Sequence, residues 1–325
     1  PVGERREEIS DLIKLSLEEQ KVCLIQGETG SGKSILLPGM VYEQLERSPL
    51  PSRVLVVQPR RDAALNVSRA VSAVQKKSWG RNGAVGCATS ETKEANSSSE
   101  ITVVTTGIAI RYLSEMIKDI EQGKRPRFGG IMVDEFHENS VEYHMILGML
   151  KILHDRGEAP LTLLTSATLE KEKIQHYFSI EDRHYMKVEG RRYEVENSLF
   201  DPRNTEYTEN YYIQAAASEV KDILRSTTEG DILVFMPGLR EINSVIHLLG
   251  HRGDGDVLPL HGSLSLEDRD AVLSGGRRRR VIVSTNIAET SLTLPGITAV
   301  VDSCRERSVK YNPATGIYER VTQLI

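Results

Sequence analysis

Short runs of Val, Ile and Leu recur through the first half of this chain, at 22–25, 54–57, 101–104, 131–133 and 161–164. Each run is apolar at nearly every position rather than at alternate ones. That is the pattern of strands covered on both faces of a parallel sheet. Helical stretches are predicted between them, at 62–75, 107–122 and 141–154. A second set of apolar runs follows at 232–236, 257–260, 281–284 and 299–301, with helices predicted at 219–225, 239–249 and 266–274. Strands alternating with helices predict an α/β chain: two domains in tandem, each a doubly wound, mostly parallel sheet with helices on both faces. The segment 187–210 is polar and carries Gly190, Asp201-Pro202 and Asn204, so it reads as the connection. The expected domains are 1–190 and 191–325. The segment 89–100, rich in Ser, Glu and Asn, reads as a flexible loop.

A length of 325 residues allows two domains with cores of their own. The formal net charge of −5 gives no overall attraction for nucleic acid, so any anionic partner needs local basic groups. Arg277, Arg278, Arg279 and Arg280 form the densest such group; their ordinary reading is a solvated lead-in to the strand at Val281. Cys23, Cys87 and Cys304 lie far apart without a C-x-x-C spacing, which argues against a disulfide framework or a zinc site. The expectation is a reducing intracellular compartment, cytoplasmic or nuclear. No apolar run approaches the ~20 residues of a membrane span, and the charged start Pro1-Val2-Gly3-Glu4-Arg5-Arg6 is no signal peptide. It also lacks an initiator Met, as expected of an excised or processed piece.

The most specific chemistry is Gly27-Glu28-Thr29-Gly30-Ser31-Gly32-Lys33-Ser34, which matches G-x-x-x-x-G-K-[ST] at every fixed position. Glycines let such a loop curl so that successive amides point at phosphate oxygens. The following helix adds its positive end. Lys33 supplies a point charge for β- and γ-phosphates, and the Ser34 hydroxyl a magnesium ligand. The flanking apolar residues give the strand–loop–helix setting the motif needs. The implied ligand is a nucleoside triphosphate with Mg²⁺.

A second signal is Ile131-Met132-Val133-Asp134-Glu135-Phe136-His137, a strand running into two carboxylates and a histidine. Ligands of open α/β sheets sit beyond the carboxyl ends of the strands. Asp134 is therefore expected to hold the Mg²⁺ shared with Ser34, and Glu135 to polarise an attacking water. His137 could relay the state of this site to the other domain. Gln58-Pro59-Arg60-Arg61, Thr105-Thr106-Gly107 and Ser166-Ala167-Thr168 fall where loops should leave other strands. A Ser or Thr there is ordinarily a helix cap; hydroxyls, amides and two arginines on one rim also suit a sugar–phosphate backbone.

Taken in order, these motifs resemble the DEAH/RHA group of superfamily 2 helicases. The second half adds Phe235-Met236-Pro237-Gly238, Leu260-His261-Gly262-Ser263-Leu264 and Ser284-Thr285-Asn286-Ile287-Ala288-Glu289-Thr290-Ser291-Leu292-Thr293. The resemblance covers the whole chain and implies two RecA-like domains with ATP between them and RNA across the top of both. It implies a catalytic set of Lys33, Asp134, Glu135, His137, Ser166 and Thr168, with Mg²⁺ on Ser34, Asp134 and Glu135. Nucleotide would also meet Arg69, Thr293 and Arg305. RNA would meet Arg60, Arg61, Thr105, Thr106, Gly107, Gly238, Thr285 and Asn286. Such helicases accept several nucleoside triphosphates and translocate 3′ to 5′. The segment from Lys310 to Val321 resembles a hairpin that acts near the duplex junction. A monomer is expected, with activator proteins as further partners and no membrane.

Several positions depart from the family pattern. Phe136 replaces the usual Ala, Arg305 a base-stacking Phe, and Pro295 an Asp that contacts ribose. Gly86-Cys87-Ala88-Thr89 lacks the Arg-Phe pair of a hook-shaped turn. The final arginine-finger motif falls past Ile325, so the expectation is ATP–Mg²⁺ binding with poor hydrolysis. The leading function is an ATP-dependent RNA helicase motor core. The rivals are an ATP-dependent RNA-binding clamp or scaffold, a P-loop small-molecule kinase, and a motor that runs on DNA.

Overall fold

The computed structural model describes residues 2–28, 30–96, 98–136, 140–168, 170–189, 195–199, 211–250, 255–276, 278–290, 294–314 and 316–324. The chain divides into two compact units, 1–194 and 195–325.

The first unit opens with α1 (Arg6–Glu18), β1 (Cys23–Gly27), α2 (Lys33–Leu45), β2 (Val54–Gln58), α3 (Arg61–Gln75), β3 (Val85–Ala88), β4 (Lys93–Glu94) and β5 (Ile101–Thr105). It continues with α4 (Thr106–Glu121), β6 (Gly130–Val133), α5 (Val141–Asp155), β7 (Leu161–Ser166), α6 (Lys171–Phe178) and β8 (Tyr185–Val188). The strands form one sheet in the order β4-β3-β5-β2-β6-β7-β1-β8, parallel except for β4. Alternate residues of each strand enter opposite cores. Cys23, Ile25, Val54 and Val56 pack under α1, α2 and α3. Leu24, Leu55, Val57, Ile131, Val133 and Leu164 pack under α4, α5 and α6. Apolar runs without alternation are the direct consequence of covering both faces.

The second unit contains α7 (Tyr211–Ser226), β9 (Asp231–Phe235), α8 (Leu239–Leu249), β10 (Gly255–Leu260), α9 (Leu266–Leu273), β11 (Arg279–Ser284), α10 (Ile287–Thr290) and β12 (Ile297–Asp302). A parallel sheet runs β10-β11-β9-β12. Ile232, Val234, Val281 and Val283 face α7 and α8, while Leu233 and Ile282 face the opposite side with Val272 and Ala288. The chain then forms an antiparallel hairpin, β13 (Arg305–Asn312) and β14 (Ile317–Leu324).

Three expectations need correction. The connection does not begin at 187: Lys187 and Val188 belong to β8, paired with Gln26 and Gly27. The segment 89–100 is no featureless loop. Lys93 and Glu94 pair with Ala88 and Cys87, and Arg53 donates to the Ser99 carbonyl at 3.1 Å. Nor do Arg279 and Arg280 form a solvated lead-in, although Arg278 is exposed as that reading expects. Arg280, 3% exposed, holds Asp231 through Nη2 at 2.6 Å and Nε at 2.8 Å. Arg279 donates to the Gly230 carbonyl at 2.7 Å and to Thr227 Oγ1 at 2.7 Å. Both arginines are spent on fixing β11 to β9 and its approach, which leaves neither as a free anion site. Arg277 lies outside the described residues, as do Gly190, Asp201, Pro202 and Asn204 of the connection.

Candidate active site

Because β1, β2, β5, β6 and β7 are parallel, the loops at their carboxyl ends emerge along one edge of the first sheet. The glycine-rich loop follows β1, the acidic pair follows β6, and Ser166-Ala167-Thr168 closes β7. Gly30 and Gly32 have φ of 79° and 89°, in the left-handed region that side chains avoid. Gly27 lets the loop sit close to its surroundings: a Cβ there would stand a tight 3.1 Å from the Val188 carbonyl and 3.2 Å from Lys33 Cδ. β8 is therefore the floor of the loop. Val2 donates its amide to the Ser31 carbonyl at 3.1 Å, so the start of the chain braces the loop as well.

Lys33 opens α2 and is 3% exposed, its Nζ donating to the carbonyls of Gly27 and Glu28, the latter at 2.8 Å. Burial pushes its ammonium below the ordinary value; Asp134, Glu135 and Glu28 pull it back up. Those interactions bring the loop and the acidic pair into one electrostatic site. Ser34 follows on the first turn of α2, which has no side-chain cap.

Asp134 is fully buried. Gln58 Nε2, from β2, donates to its Oδ2 at 2.8 Å, and Thr165 Oγ1, from β7, donates to Oδ1. The strands flanking β6 thus clamp the carboxylate from both sides. Tyr143 of α5 adds a hydrogen bond from its hydroxyl to the Asp134 carbonyl at 2.7 Å. Glu135 is held at φ 51°, a left-handed conformation that costs a residue with a Cβ about 1–2 kcal/mol. Backbone strain of this kind concentrates at functional sites. Ser166 Oγ donates to the Thr168 carbonyl, and Gln26 links Tyr185 of β8 to the Ala167 carbonyl. A buried cation, two left-handed glycines, an uncapped helix start and a clamped carboxylate fit a triphosphate with its magnesium. Thr29, His137 and Thr293 lie outside the described residues.

The same edge carries Arg60, Arg61, Thr105, Thr106 and Gly107. Arg61 pairs with Glu91. Thr105 precedes α4 without a side-chain cap bond, and Gly107 is open, with nothing within 4 Å of a built Cβ. Arg69, expected to meet the nucleotide base, lies about 12 Å along α3 from its first residue, with its guanidinium 5.2 Å from the Trp79 ring centre. In the second unit, Gly238 follows β9 and Thr285 and Asn286 follow β11, neighbouring parallel strands, so these residues share one edge. The Arg305 guanidinium stacks on Tyr212 at 4.4 Å and Tyr211 at 5.5 Å. Gln58 is visible in the sequence only as the first residue of Gln58-Pro59-Arg60-Arg61, with no role at Asp134, and Thr165 only as the neighbour of Ser166-Ala167-Thr168; the Tyr143 tether and the Val2 brace carry no sequence signal.

Residues 8–177 match the DEAD/DEAH box helicase family, and residues 215–323 match the helicase conserved C-terminal domain. The chain belongs to the DEAD/DEAH box helicase family. Within it, Asp134-Glu135-Phe136-His137 makes it a DExH-box member. It is 31% identical over 322 residues to the ATP-dependent RNA helicase HrpA of Escherichia coli (strain K12), covering 98% of this chain and 23% of HrpA. With the HrpB helicase of the same organism it shares 32% over 311 residues, 93% of this chain and 36% of HrpB. The crystal structure of the Escherichia coli DEAH/RHA helicase HrpB superposes with a TM-score of 0.76 at 28% identity, over 100% of this chain and 39% of that one. The two doubly wound units of this helicase-family chain are accordingly RecA-like. The chain spans well under half of either relative.

Proposed function

We propose that this chain is the motor core of an ATP-dependent RNA helicase, coupling ATP hydrolysis to 3′–5′ movement along RNA and to remodelling of RNA and its protein complexes. The observation that carries the reading is the buried Lys33 in electrostatic contact with Asp134 and Glu135 at the carboxyl edge of a parallel sheet. Lys33 and the amides of Gly30, Ser31 and Gly32, with Thr29, would hold the phosphates. Ser34, Asp134 and Glu135 would hold Mg²⁺, which when bound neutralises charge on the β- and γ-phosphates. Glu135 would take the proton of the attacking water, with Ser166, Thr168 and His137 linking the site to RNA and the second unit. Arg69 and Arg305 would meet the base with Thr293 beside it. A guanidinium is planar and can stack on a base as it does on an aromatic ring, and both already lie against rings. The two rims, Arg60, Arg61, Thr105, Thr106 and Gly107, and Gly238, Thr285 and Asn286, would follow the RNA backbone. The reading extends to a monomer served by activator proteins in a reducing cytoplasm or nucleus.

The test is ATP turnover with and without single-stranded RNA. Turnover of the wild type should be slow but raised by RNA, Lys33→Ala should lose nucleotide binding, and Glu135→Gln should lose about 10²–10⁴-fold in turnover. Duplexes with a 3′ or a 5′ tail report direction. A lack of RNA stimulation, or full nucleotide affinity in Lys33→Ala, overturns the proposal. Hydrolysis without strand displacement would leave only the clamp.

A further inference from the structure

Arg307 of β13 joins three pieces of the second unit. Its Nη2 donates to Glu241 Oε1 at 2.7 Å, and its Nε to Thr322 Oγ1 at 3.2 Å. Thr322 is its register partner on β14, so one guanidinium ties both strands of the hairpin to the first turn of α8. Glu241 is 8% exposed, and its Oε2 is buried without a hydrogen-bond partner among the described residues. Arg307 is thus the cation that compensates this carboxylate, helped by the positive end of α8.

Gly238 precedes that turn. Its φ of −173° is ordinary extended backbone, so glycine is not needed for conformation. What it gives is close approach: a Cβ would lie 2.3 Å from Arg307 Nη1 and 3.0 Å from Glu241 Oε2, so the guanidinium would have to shift from its present seat beside the glycine turn. A lysine could keep the charge but not the planar fork that reaches Glu241 and Thr322 together.

We infer that Arg307 and Glu241 are positioning residues, a latch that makes the Gly238 turn and the β13–β14 hairpin move as one body. This rests on the helicase reading, in which the turn meets RNA and the hairpin works beside the duplex. Neither latch residue belongs to the set expected to meet nucleotide. A displacement of the turn by RNA is delivered to the hairpin through this contact.

The experiment compares wild type with Arg307→Lys and with the double variant Glu241→Gln/Arg307→Met, which removes the latch without leaving an uncompensated charge. Thermal unfolding checks that each folds. Amide exchange over 239–242 and over 305–309 should quicken about tenfold in the double variant, the loss expected for one charge-assisted bond. RNA-stimulated ATP turnover should stay near wild type, while strands displaced per ATP consumed should fall by about the same factor. Arg307→Lys should fall between the two. Unchanged exchange overturns the latch. Looser exchange with unchanged displacement per ATP overturns its positioning role, as does a parallel fall of turnover and displacement. If the wild type shows no RNA stimulation, the helicase reading fails and the exchange measurement alone decides the latch.

Discussion

Replacing Thr165 by Val keeps the side-chain volume at the end of β7 and removes one of the two side-chain donors to Asp134. Asp134 is 0% exposed, so no bulk water replaces the lost bond. A hydrogen bond to a charged group is worth about 1.5–3 kcal/mol, and more is lost when its removal strands a buried acceptor. Part of that loss appears as stability and part as a carboxylate free to turn on χ. Outer-shell partners of a metal-binding carboxylate typically set about 10–100-fold in metal affinity or activity. The assay is ATP turnover against free Mg²⁺ at saturating ATP and RNA, beside urea unfolding. Thr165→Val should need roughly ten times more Mg²⁺ for half-maximal turnover, and should unfold at lower urea. Thr165→Ser keeps the donor and should follow the wild type. A Thr165→Val protein with unchanged Mg²⁺ demand and unchanged unfolding would refute the clamp.

Burial holds the His154 imidazole down from 6.5 to about 4, so the unfolded chain takes up its proton first as pH falls. Stability should therefore drop by roughly 3 kcal/mol between pH 7 and pH 4 from this group, and urea unfolding of His154→Gln should show a correspondingly flatter profile. Asp231→Ala leaves Arg280 buried and uncompensated, and should cost about 3–5 kcal/mol in unfolding of the second unit. Gly230→Ala would put a Cβ 2.0 Å from Thr298 Oγ1 at a φ of 79°. It should destabilise the same unit by about 2–4 kcal/mol on strain and overpacking; a neutral result in urea unfolding would contradict that packing.

The strands with β-branched runs were legible because coverage on both faces makes them apolar throughout. β3 was not: Val85-Gly86-Cys87-Ala88 has no such run and gains its place from pairing with β5. β8, Tyr185-Met186-Lys187-Val188, has no run of β-branched residues, since an edge strand needs apolar residues on fewer sides. α1 was passed over because it lies ahead of the first run, although buried Ile9, Leu12, Ile13 and Ser16 carry helical spacing. At the site, the loop and the acidic pair could be named because their chemistry is local in sequence. The clamp on Asp134 depends on which strands flank β6, and strand order is not written in any one segment. Arg280 illustrates the same limit: its charge is visible, but its partner Asp231 is 49 residues away.

One edge strand of the first sheet, β4, is two residues long, runs against its neighbour β3 and consists of a lysine and a glutamate. Such a margin offers an incoming polypeptide almost no ladder to zip onto and would force two charges out of solvent. A parallel sheet of seven strands that must assemble from distant segments is slow to complete and vulnerable to sticking to copies of itself. The short charged fringe on that side is a safeguard against lateral accretion during folding.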